Sequence, residues 1–218
     1  MFLGHYALGF AAKRLAPRTS LGTLFVAPQL ADLLWPVFLL LGWEHVRIVP
    51  SPNPFFHLSF DAYPLSHSLL ALVVWGVLLA LGYRTWGGER RAALVVGLLV
   101  VSHWVLDAIV HRPDLPLYPE GPTVGLGLWS SVRATLVIEG ALFLAGIWSY
   151  GAATRPRDAV GRYGTWALVA VLVLSYLGTL FSGPPPSVRA LEIGAIVFGW
   201  LFVAWAAWVD RHRFPYSS

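Results

Sequence analysis

Cysteine is absent from the chain, which excludes disulfides and thiolate metal sites and leaves only nitrogen and oxygen side chains to hold a metal. Charge is scarce as well: Asp, Glu, Lys and Arg make up 12% of the 218 residues, about half of what a soluble domain carries. Internal repeats and low-complexity tracts are missing, and every connecting segment is too short to fold by itself. The expected organisation is therefore one integral-membrane helical domain over residues 1–218.

What the chain has in abundance is apolar sequence, 57% hydrophobic with a mean hydropathy of +0.66. Runs long enough to cross about 30 Å of hydrocarbon lie near residues 21–43, 65–83, 92–111, 130–150, 163–182 and 189–209. They predict an all-α polytopic membrane bundle of six transmembrane helices. Residues 2–16 offer only about ten positions before Lys13, which predicts a short helix inserted partway into the bilayer. Its charges follow the apolar stretch, the reverse of a secretory signal, so it is expected to stay on the protein.

The formal charge of +4 and pI of about 9.7 would suggest nucleic acid in a soluble protein. Here the basic residues sit between apolar runs, which points to the lipid bilayer as partner and against nucleic acid. Lys13, Arg84, Arg155 and Arg211 with their basic neighbours fall on one side, and Arg47, Arg112, Arg133 and Arg189 on the other. By the positive-inside rule the C-terminus is cytoplasmic, in a bacterial-type inner membrane. Segments 44–64 and 112–129 then lie outside; rich in Pro, Gly and aromatics, they read as ordered loops able to form a cap. Trp43, Trp86, Trp129, Trp148 and Trp208 mark span ends, where the amphipathic indole prefers to sit.

Against this background ionisable residues inside the spans stand out. In SHWVLDAIVHRPDLP, residues 102–116, His103, Asp107 and His111 are spaced four apart and share one helical face. His5, Asp32, His67 and Glu139 each occupy a different apolar segment. A lone carboxylate in hydrocarbon costs at least ~2.5 kcal/mol on insertion scales, so Asp32, Asp107 and Glu139 should face each other or a shared cation. Imidazole nitrogens and anionic oxygens converging from several helices are what a divalent metal takes. The set expected as ligands is His5, Asp32, His67, His103, Asp107 and His111, with Asp32 or Glu139 as general base and zinc, one or two ions, as the expected metal.

Weighed against the metal site are a purely structural polar network and a proton or ion pathway. Gln29, one turn before Asp32, and Ser66 and Ser68, beside His67, read as hydrogen-bonding or capping residues. Asp114 follows a helix-ending Pro113 and is placed with His111 near the outer mouth. His45, His57 and His212, and Glu44, Asp61, Glu120, Asp158 and Asp210, read as solvated.

His5 followed by Gly9, Asp32, SHS around His67 and SHWVLD at 102–107 together resemble the membrane-bound metal-dependent hydrolase family, itself distantly similar to zinc-dependent phospholipase C. The resemblance covers roughly residues 1–115. It implies metal ligands at His5, Asp32, His67, His103 and Asp107 and hydrolysis of a phosphoester or related bond. PQLAD carries one carboxylate where the family pattern has two, and the later HxxxE is missing, which implies one or two metals rather than a trinuclear cluster. A second stretch, HRPDLPLYPEGP followed by GLGLW, resembles membrane proteins labelled permeases. The expected function is thus a membrane-embedded hydrolase that opens a phosphoester or ester of a lipid-like substrate through a metal-activated water. The alternative is a metal- or proton-coupled transporter, for which Pro28 and Pro36 flanking Asp32 are a point in favour; haem ligation by His67 and His103 is a third reading.

Overall fold

The helices begin where the chain supplies a cap. After α1 (Phe2–Ala12), the side chains of Ser20, Ser68, Ser131 and Ser187 each accept from the N–H three residues on, and so start α2 (Leu21–Leu40), α4 (Leu69–Thr85), α6 (Val132–Ala153) and α8 (Val188–Arg211). The others are α3 (Pro64–His67), α5 (Arg90–Val110) and α7 (Thr165–Thr179), the last preceded by one wide turn over Val160–Gly164. These elements come from a computed structural model, which describes residues 1–216.

The chain is a mostly helical bundle, and among the described residues five helices are long and apolar enough to cross a membrane: α2, α5, α6, α7 with its wide turn, and α8. Six spans were expected. The sixth, α4, has 17 residues and is a shorter apolar helix. The chain breaks before it because the Ser68 hydroxyl donates back to the Pro64 carbonyl at 2.6 Å while capping α4.

The short first helix is the centre of the bundle. Eight of the 11 residues of α1 are buried, and it is packed against α2, α5, α6 and α7. Two glycines make this possible. A Cβ at Gly146 of α6 would lie 2.5 Å from the Ala7 carbonyl oxygen, and one at Gly9 would lie 2.7 Å from that of Leu24. The Leu24 carbonyl is the one that residue 28 would bond in an unbroken helix, and Pro28 has no N–H to give. Tyr6, Phe10, Phe25, Phe143, Tyr150 and Phe202 fill the core around α1 with edge-on and tilted ring contacts. Gly146→Val should therefore destabilise the bundle by about 1–3 kcal/mol through overpacking. A lowered melting temperature in detergent is the expected readout, and a wild-type melt would contradict the close α1–α6 approach.

Two short hairpins and one long-range strand pair complete the fold among the described residues. β1 (His45–Ile48) pairs with β2 (Leu58–Ala62), and β3 (Leu115–Pro116) with β4 (Thr123–Val124), all antiparallel. They lie in the two segments expected to be ordered, and those segments meet: Asn53 Nδ2 donates to the Trp129 carbonyl at 2.8 Å, and Arg112 lies 4.2 Å over the Phe56 ring. A long-range antiparallel pairing, β5 (Thr154–Pro156) with β6 (Arg213–Pro215), ties the end of α6 to the chain beyond α8. Beside it, the His212 ring and the Gly161 N–H bond Asp158 and hold its carboxyl below the usual range.

At the same end one expectation fails. Asp210 is not a surface charge: it accepts from Lys13 Nζ at 2.6 Å, the Leu21 N–H at 3.0 Å and the Tyr150 hydroxyl at 2.9 Å. Lys13 is buried and the Asp210 side chain is only 9% exposed. The pair joins the ends of α1, α6 and α8 to the start of α2, which is why an acid so near a helix end is not left in solvent.

Candidate metal centre

Histidines from α1, α3 and α5 and carboxylates from α2 and α5 meet at the middle of the bundle. The ligand atoms of His5, His103 and Asp107 lie within 4.8 Å of one another, as do those of Asp32, His67 and His103, so His103 belongs to both groups. His5, His67, His103, Asp107 and His111 are all buried. The four-residue spacing on α5 does what helix geometry requires, setting His103 Nε2 3.0 Å and His111 Nε2 3.8 Å from Asp107 Oδ2.

The hydrogen bonds on the far side of each ring fix which nitrogen carries the proton. His103 Nδ1 is 2.7 Å from the Pro28 carbonyl, which can only accept, so Nδ1 is the donor. His111 Nδ1 donates to Asp114 Oδ1 at 3.0 Å. His67 Nδ1 is 2.7 Å from Ser66 Oγ, whose own proton goes to Glu44 Oε2 at 2.6 Å; the serine must then accept from the imidazole. In all three rings Nε2 is left to face a carboxylate: Asp107 for His103 and His111, Asp32 at 3.5 Å for His67. None of these approaches is a hydrogen bond, and His103 Nε2 is buried without any partner. With Nδ1 protonated, each Nε2 aims at a carboxylate oxygen either a lone pair, whose repulsion a cation between them would relieve, or a second proton that makes the ring an imidazolium.

His5 is held differently. Its Nε2 is 3.1 Å from Asp107 Oδ1, its Nδ1 is buried without a partner, and its ring stacks on His103 at 3.9 Å between centroids. The Met1 ammonium also contacts Asp107 Oδ1, which leaves Oδ2 as the oxygen turned to His103 and His111. Asp32, with Gln29, faces a cavity on the other side.

His111, expected as a ligand, belongs to neither group, and nor does Glu139. Its Oε2 accepts from the Leu3 N–H at 2.8 Å and the Gly4 N–H at 3.4 Å, capping the first turn of α1, while Oε1 is buried without a partner. Glu44 corrects the reading as a solvated charge: it is 1% exposed and accepts from the Leu65 and Ser66 N–H groups as well as the Ser66 hydroxyl. It was missed because its partners lie 21 and 22 positions on, brought back by the β1–β2 hairpin, and no local spacing announces them. Ser66 does hydrogen-bond the imidazole, and Ser68 does cap a helix, as their positions suggested.

The fold and site thus define a helical bundle with apolar spans and a buried histidine–carboxylate cluster at its centre. Searches against protein-family models, curated proteins and solved structures find no match.

Proposed function

We propose that the protein is a membrane-embedded metal-dependent hydrolase of an ester or phosphoester in a lipid-like substrate, akin to the phospholipase C-like pattern its motifs resemble. The observation that carries this is the common orientation of His67, His103 and His111, each with Nδ1 anchored and Nε2 turned to Asp32 or Asp107. Fixing the outer nitrogen of each ring so that the inner one presents a lone pair is how proteins prepare imidazole ligands. Asp32, Asp107, His67 and His103, with His5 and His111 beside them, would hold the ion; nitrogen and oxygen donors of this kind suit zinc, as one or two ions. Bound there, the metal would supply Lewis-acid polarisation of the ester and acidification of water.

The residues of the chain do the rest. Asp32 turns Oδ1 to His67 and, with its side chain 46% exposed and lining a cavity, would use its second oxygen to take a proton from an entering water, so the general-base role falls to it rather than to Glu139, whose Oε2 is committed to α1. The Asp107 carboxylate and the α5 histidines fix the opposite wall. We further place six spans with α1 half-inserted among them, and the C-terminus on the cytoplasmic side of a bacterial-type inner membrane, on the asymmetry of the basic residues.

The test is release of product from phospholipid vesicles by purified protein, with and without a zinc chelator. Chelator-sensitive cleavage is expected, and a metal-loaded protein that cleaves neither phospholipid nor a generic phosphoester contradicts the reading. A second reading is favoured by Pro28 and Pro36, both inside α2 around Asp32: a proton on each Nε2 would satisfy the same oxygens, as in a metal- or proton-coupled transporter. Metal- or proton-dependent uptake into proteoliposomes without product release would select it.

Ser66→Ala tests the orientation itself. The Leu65 and Ser66 N–H groups still hold Glu44, but His67 Nδ1 loses its acceptor. Metal affinity should fall 10–100-fold, with restoration by Ser66→Thr. Equal affinity in the alanine variant would show that the relay does not position His67.

A further inference from the structure

The cluster is closed at its capped end and open to one side. His111 and Tyr63 are each 3% exposed and Leu115 is fully buried, while the Phe60 and Trp129 rings pack on His111 at 5.2 and 4.6 Å. Asp32, in contrast, faces a cavity of about 180 Å³ between α1, α2 and α8, lined among others by Phe2, Tyr6, Trp35, Ala195, Phe198 and Phe202. At a rise of about 1.5 Å per residue, Asp32 lies roughly 12 Å from the Leu40 end of α2, and Ala195 to Phe202 lie roughly 10 to 21 Å from the Val188 end of α8. The cavity therefore sits at mid-height of two helices long and apolar enough to span a membrane. Phe198 at its rim is 58% exposed on the outer face of α8.

A carboxylate reached through apolar walls at this height selects what can come to it. A small hydrated ion gains nothing from five aromatic rings, and a water-soluble phosphoester would have to cross hydrocarbon to arrive. A molecule with an apolar chain against Phe198 and Phe202 and a polar bond beside that chain matches both halves of the cavity. We propose that the substrate is a membrane amphiphile that enters laterally along α8 past the exposed Phe198, carrying its phosphoester or ester next to its apolar chain. The bond cleaved rests on the hydrolase reading above; the lateral route does not.

Two experiments separate them. Because the chain has no cysteine, Ala195→Cys places a single nitroxide in the α8 wall of the cavity. In phospholipid vesicles its collisions with lipid-dissolved oxygen should far exceed those with a water-soluble nickel chelate; dominance of the chelate, or shielding from both, would overturn the lateral route. Ala195→Trp, which fills the cavity from its α8 wall, should cut phospholipid cleavage at least 10-fold with bound metal per chain unchanged, and unchanged cleavage would overturn the route. If tryptophan costs the protein its metal, Ala195→Leu takes its place, with the same two outcomes at a smaller fold-change. Should the wild-type protein cleave nothing, hydrolysis fails while the nitroxide still decides where the cavity opens.

Discussion

Replacing His103 by alanine should leave the purified protein with less than a tenth of its metal. His103 is the one residue common to both groups of converging ligand atoms, and its Nε2 is buried with no other partner. Its removal takes a nitrogen from each group and frees the Pro28 carbonyl, a buried acceptor whose loss of a donor costs about 1–3 kcal/mol. Stability should thus fall modestly while metal content collapses, a combination that separates a ligand from a merely packed histidine. Elemental analysis after dialysis gives the content, with Arg47→Ala as a control, since Arg47 forms an exposed pair with Asp61 outside both ligand groups. Equal metal in His103→Ala and wild type would remove His103 from the site.

The second large effect belongs to the other end of the bundle. In Asp210→Ala the Lys13 ammonium stays buried with its carbonyl partner Thr19 but without a countercharge, and the Leu21 N–H and Tyr150 hydroxyl lose their acceptor. Breaking a buried pair on one side costs about 3–5 kcal/mol, because the remaining charge is uncompensated. For a chain of this size that lowers the melting temperature by roughly 6–20 °C. Adding Lys13→Met should recover much of the loss, since it removes the stranded charge. A single variant melting within a degree or two of wild type would mean that the four helix ends are not held through Asp210.

How legible these features were depends on sequence distance. The His103–Asp107–His111 face follows from helix geometry alone, because residues four apart are neighbours whatever the tertiary fold. Asp32 and His67 were visible as ionisable groups stranded in apolar sequence, where hydrocarbon leaves few solutions. Glu44 and Asp210 lie near the ends of such stretches, where a solvated charge is the ordinary outcome; their partners arrive from 22 and 197 positions away. The central place of α1 left a trace that length obscured: FLGHYALGFAA carries no formal charge on any face, the mark of a helix buried all round, yet 11 residues suggested only partial insertion. The cap was foreseen as ordered from its prolines and aromatics, but not as hairpins, whose pairing depends on contacts between β1 and β2 that no periodic pattern in residues 44–64 reveals.

X-ray absorption at the zinc edge, taken on protein purified without added chelator, bears most directly on whether these groups share a cation. A shell of imidazole nitrogens and carboxylate oxygens at about 2.0–2.2 Å is expected, altered in His67→Ala and lost in His103→Ala. An ion surrounded only by water oxygens, or a shell indifferent to both substitutions, would contradict it.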